Sequence, residues 1–127
     1  MAHRSPQELV EDDIAAYNAF DIAGMAALLA DDIRFEHHSG DALTAEADGL
    51  AAFRQLAEAS KALFSRREQR VTAWTVGADA VTVATDYSGT LARDIPGGPA
   101  AGAVIALEGC SDFAFAHGKI VRITDRS

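Results

Sequence analysis

The sequence predicts a single α+β domain spanning residues 1–127, with helices covering one face of a curved antiparallel sheet. Three observations predict it. Apolar residues recur at helical spacing near the start of the chain and again after Asp48, then at a spacing of two from Arg70 onwards. The period-two runs are joined by short turns, so consecutive strands should pair antiparallel. No linker, repeat or low-complexity segment separates the two textures, so the helices have the sheet to pack on. The predicted order is α-α-β-α-β-β-β-β.

Each element has its own signal. Ser5-Pro6-Gln7-Glu8 reads as a helix start, with a capping serine, a proline at the first helical position and a glutamate completing a capping box. Leu9, Val10, Ile14, Tyr17 and Phe20 follow, until Asp21-Ile22-Ala23-Gly24 breaks the helix. A short second helix carries Met25, Leu28 and Leu29. Ile33 to His37 alternates as a strand, with Ile33, Phe35 and His37 on one side and Arg34 and Glu36 on the other. Residues 41–48 read as a surface loop. Asp48 is expected to cap a third helix that buries Phe53, Leu56, Ala57, Ser60, Leu63 and Phe64. Arg70–Val76, Val81–Leu91, Ala103–Phe115 and Lys119–Thr124 are the remaining strands, with turns at Gly77-Ala78-Asp79 and His117-Gly118. Several inward residues are large aromatics, which fill a curved interior unevenly and leave a pocket.

Composition excludes some partners. The chain has 127 residues, 49% of them hydrophobic, and a net charge of -8. Nucleic acid and anionic membrane surfaces both need a basic face, so neither is expected as a partner. A single cysteine, Cys110, allows no internal disulfide, and no zinc-ligand spacing is present. Cys110 is expected to be buried and inert. Met1 to Pro6 lacks the apolar run of a signal peptide, so a soluble cytoplasmic protein is expected.

The order of motifs resembles a known family. Tyr17…Phe20-Asp21…Leu28-Leu29-Ala30-Asp31-Asp32-Ile33-Arg34-Phe35-Glu36 is similar to the opening of nuclear-transport-factor-2-like proteins. Asp48-Gly49…Ala52-Phe53 resembles the glycine and helix that follow. Gly89-Thr90…Asp94-Ile95-Pro96…Gly102 and the closing Phe113-Ala114-Phe115-Ala116-His117-Gly118-Lys119-Ile120 hairpin resemble SnoaL-like proteins, relatives of polyketide cyclases and ketosteroid isomerase. The resemblance implies a cystatin-like cone with an apolar pocket, no cofactor, and a homodimer. It does not fix a reaction, because this fold hosts isomerases, cyclases, dehydratases, epoxide hydrolases and non-catalytic proteins.

The chemistry candidates follow from position. His37 faces inward with Phe35, at the strand position that resembles the place of the general-base aspartate in ketosteroid isomerase. A histidine titrates near pH 6.5 and can move a proton there; the other role for His37 is a rim residue bonded to a carbonyl or water. Ser111 resembles in position the isomerase's protonated aspartate, and Asp13 stands where that branch has a tyrosine; both differences argue against steroid isomerisation. Asp112 points away from Ser111, Phe113 and Phe115 unless a bulge reverses the strand. SnoaL-like cyclases use an acidic residue in this region as base. Tyr17 can donate to an oxyanion or be tied off in the core. Asp13, Tyr17 and His37 together resemble the machinery of scytalone dehydratase. Phe20, Phe35, Phe53, Leu56, Trp74, Tyr87, Phe113 and Phe115 are the expected lining. Asp94 is expected to serve its turn, and no metal site is expected.

Two functions fit. One is a cofactor-independent enzyme that moves protons on an apolar carbonyl compound, with His37 as base. The other is a domain of the same fold that binds a small apolar molecule or assembles without catalysis. Convergence of His37 and a second polar group on one point of the pocket discriminates between them. The outer sheet face, with Thr82, Ala84 and Ala114, reads as poorly charged and is the expected dimer surface.

Overall fold

A computed structural model describes residues 5–127. Met1–Arg4, part of the stretch read for a signal peptide, lie outside the described residues. The elements are α1 (Pro6–Asn18), α2 (Ile22–Leu28), β1 (Leu29–Ser39), β2 (Ala42–Asp48), α3 (Leu50–Leu63), β3 (Phe64–Val76), β4 (Ala80–Leu91), β5 (Val104–Ala116) and β6 (Lys119–Arg126). Among the described residues, no helix is long and apolar enough to cross a membrane.

The capping signals of the first two helices act as the chemistry requires. Ser5 accepts from the Glu8 amide, and the Glu8 carboxylate accepts from the Ser5 amide, 2.9 Å away. Asp21 caps α2 by accepting from the Gly24 amide. The third helix corrects the expectation. Its cap is Gly49, which has a φ of 89° that a residue with a Cβ rarely adopts, and Asp48 instead pairs with Arg34.

The sheet has six strands in the order β2-β1-β6-β5-β4-β3. Two features correct the sequence reading. Residues 42–48 form an edge strand, not a loop; Ala45 and Ala47 turn inward against His37 and Phe35. Alanine has little strand preference, so this alternation is faint until β1 supplies the partner. The sheet is also mixed. The hairpins are antiparallel, but β1 lies parallel to β6, joining the first strand to the last.

α1 packs on β3 and β4, and α3 on β1 and β2. Val10, Ile33, Val81, Val83 and Ile120 are fully buried between these layers. Ile33→Ala should therefore cost about 2–5 kcal/mol of stability, read from a urea unfolding curve followed by circular dichroism. A loss below about 1 kcal/mol would show that the strand tolerates the gap and that its burial matters less than stated.

The outer face carries many charges, contrary to the expectation drawn from Thr82, Ala84 and Ala114. Arg34 pairs with Glu36, Glu46 and Asp48, each at 3.0 Å. Glu36 also takes His38 and Arg122, and Arg70 pairs with Asp86. Most of these pairs join different strands, which alternation along one strand does not report.

Candidate functional site

The helices and the inner sheet face enclose a cavity of about 380 Å³, in the range of small-molecule sites. Its apolar walls include Met25, Phe35, Phe53, Leu56, Phe64 and Ile123. Phe35 and Phe53 meet edge to face, their ring centroids 5.7 Å apart. Gly89 supports the far wall: a Cβ there would come within 2.8 Å of the Phe64 ring and 3.1 Å of the Tyr87 hydroxyl.

Polar groups converge in one row. Ala45, His37, Asp125, Ser111 and Val83 follow one another in register across β2, β1, β6, β5 and β4, so their side chains share the inner face. Ser111 donates to Asp125 Oδ1 at 2.7 Å. The Thr44 hydroxyl lies 3.1 Å from the His37 carbonyl oxygen and 2.6 Å from His37 Nδ1. The hydroxyl has one proton for these two acceptors; the tautomer in which it donates to the carbonyl carries the ring proton on Nδ1 and keeps the lone pair on Nε2. Asp13, on α1, also lines this cavity and leaves its Oδ1 without a hydrogen-bond partner.

The two cavity carboxyls differ in environment. Burial, reinforced by the nearby Asp125, pushes the Asp13 carboxyl up to about 7. Burial raises Asp125 as well, but the Ser111 hydrogen bond and nearby His37 pull it back. Asp13 has no such support, so of the two it is the carboxyl whose proton the site favours. The Tyr17 and Tyr87 hydroxyls are 3.2 Å apart, and burial raises both phenols, which stay protonated.

The sequence matches the family model of the SnoaL-like domain over residues 10–123. The chain belongs to the SnoaL-like family. Solved structures agree on the fold. A candidate polyketide cyclase from Xanthomonas campestris pv. campestris superposes with a TM-score of 0.84 at 24% identity, covering 95% of this chain and 88% of that one. IdmH, a candidate polyketide cyclase from Streptomyces antibioticus, gives a TM-score of 0.80 at 19% identity, covering 96% and 91%. A cystatin-fold protein from Novosphingobium aromaticivorans gives 0.75 at 19% identity, covering 96% and 97%. Identities this low show shared architecture alone. No curated protein matches the chain.

In this SnoaL-like protein, the expected residues divide into two groups. His37, Tyr17, Ser111, Asp13, Phe35, Phe53, Leu56 and Tyr87 line the cavity. Asp112, Phe20, Trp74, Phe113 and Phe115 do not. Asp112 faces outward, where a hydrogen bond from Thr82 and the ion pair with Arg126 hold its carboxyl below the usual range. It cannot serve as an acid in the cavity. Phe113 is sealed in the core between Val81 and Ile123, its neighbours in register. Phe115 pairs with the fully buried Ile120 and packs against the core, away from the cavity. Trp74 packs against the core, and Phe20 lies against Arg67. Cys110 is half-buried rather than buried as expected, and Arg126 on β6 is its partner in register. Asp94 serves its turn by accepting from the Ala101 amide.

Asp125 and Arg67 are among the cavity residues that escaped the sequence reading. Asp125 lies just beyond the predicted end of β6; continued alternation from Ile123 would have placed it inward. Arg67 belongs to the charged run Arg66-Arg67-Glu68, which reads as solvated, yet it is only 6% exposed. Among the described residues, no cluster of three or more His, Cys, Asp or Glu side chains is placed to hold a metal ion.

Proposed function

We propose that this SnoaL-like domain is a cofactor-independent enzyme that moves a proton on an apolar, carbonyl-bearing small molecule held in the cavity. The carrying observation is the inward row His37–Asp125–Ser111 with Asp13 in the same cavity. A base, a charge partner and a neutral acid thus share one apolar space. The candidate polyketide cyclases among the similar structures support the same class.

In the proposed step, His37 Nε2 takes a proton from the carbon next to the carbonyl. The C–H electron pair moves into the new carbon–carbon double bond, and the carbonyl π pair moves onto oxygen. The neutral Asp13 carboxyl donates a hydrogen bond to that oxygen. Asp125 stabilises the imidazolium, and Ser111 holds Asp125 in place. The imidazolium then returns the proton, either to the same carbon or to the far end of the enolate.

Exchange of α-protons for deuterium tests this without knowledge of the natural substrate. 1-Tetralone and larger fused-ring ketones are incubated in deuterated buffer, and proton NMR follows the α signal. The protein should accelerate the loss in proportion to its concentration. Saturable ketone binding with no acceleration across the series would leave a binding domain and remove the catalytic reading.

A further inference from the structure

A buried cation faces the cavity with no anion beside it. Arg67 is 6% exposed and lines the cavity wall. Its Nε donates to the Tyr17 carbonyl at 3.0 Å, and its Nη2 has no partner. Its guanidinium carbon lies 3.7 Å from the Tyr17 ring centroid and 4.4 Å from that of Phe20. None of the ion pairs among the described residues includes it. An arginine cannot escape burial by losing its proton, so an unpaired one is costly.

The local backbone holds this arrangement at further expense. Phe20 follows α1 with a φ of 58°. Helices usually place glycine at such a left-handed position, because a side chain there is strained. Here it presents an aromatic ring to the guanidinium. Strain that positions a charged group facing a cavity points to a ligand contact. A second donor is close by. One hydroxyl of the Tyr17–Tyr87 pair donates to the other, so one phenolic proton remains for a ligand.

We propose that the cavity ligand carries an anionic group, a carboxylate or an ionised phenol, that docks on Arg67 and the free phenolic O–H. Arg67 is on β3, three strands from Asp125 on β6. The ligand then spans the cavity, its anion at one side and its carbonyl at the other. This rests on the proposed function only in placing the ligand in this cavity; the anion contact needs no turnover.

Binding of matched ligands tests it. Isothermal titration at pH 7.5 compares 2-naphthoate with neutral 2-naphthamide, neither of which has an exchangeable α C–H. The wild type should bind the carboxylate about 10- to 100-fold more tightly, as one charge-assisted contact provides. Arg67→Gln should lose that preference while still binding the amide, and Arg67→Lys should keep part of it. If Arg67→Gln does not fold, by circular dichroism, the wild-type ratio and Arg67→Lys decide. Equal affinities in the wild type, no binding of either ligand at millimolar concentration, or an unchanged preference in the folded variants would overturn the proposal. A carboxylate preference without α-proton exchange removes only the catalytic reading, and exchange without a preference removes only this one.

Discussion

His37→Gln should lower the rate of α-proton exchange by about 10²–10⁴-fold, the usual contribution of a placed general base. Glutamine fills similar space and can still meet Thr44, but it offers no basic nitrogen. Asp125→Asn should cause a smaller loss. It keeps a side chain that Ser111 can bond but removes the negative charge that stabilises the imidazolium. The double variant should be little worse than His37→Gln alone, because a charge partner has nothing to stabilise once the base is gone. NMR exchange rates of the three variants read this directly. Strictly multiplicative losses would show that the two residues act independently, and an unchanged rate in His37→Gln would end its role as base.

Asp13→Asn should stabilise the protein at pH 8 by roughly 4 kcal/mol, at about 1.4 kcal/mol per pKa unit. Burial raises the Asp13 carboxyl from 3.8 to about 7 in the folded chain. Below pH 3.8 the folded and unfolded chains both carry the proton, and there is no penalty. Between 3.8 and 7 the unfolded chain releases the proton while the folded chain keeps it, so wild-type stability falls as pH rises. The penalty is complete above 7. Asparagine has no proton to release, so its advantage should be largest at pH 8 and vanish near pH 4. Urea unfolding at pH 4, 6 and 8 measures this; an advantage that does not change with pH would refute the buried-carboxyl account. The same variant should exchange α-protons more slowly, as it loses the acidic O–H. A carboxyl kept at the expense of stability fits the acid role proposed for Asp13.

Much of the architecture was legible because the relevant signals are local. The Ser5–Glu8 capping box and the inward placement of Phe35 and His37 depend on near neighbours. The parallel union of β1 and β6 was not, since no local pattern reports which strand meets which at the ends of a sheet. The edge strand at 42–48 was hidden by its alanines. Within the site, His37, Ser111, Asp13 and Tyr17 could be placed by spacing. Asp125 was missed because the predicted β6 stops one residue short of it, and Arg67 because a charged side chain inside a cavity breaks the pattern by which inward positions are recognised. Phe113 and Phe115 were misplaced because alternation reports which face a side chain takes, not whether that part of the face is filled by core or open to the cavity.

The seam between the first and last strands carries a kinetic consequence. His37 and Asp125 are far apart in the sequence and become neighbours only when β6 docks beside β1. That closure is the most non-local event in folding and has the largest entropic barrier to overcome. During synthesis, a nascent chain forms the β3–β4 hairpin and the helices while the residues proposed as base and charge partner are still apart. Loosening of β6 in the mature protein would silence the chemistry while most of the sheet stayed intact, so loss of activity on warming should precede loss of strand signal.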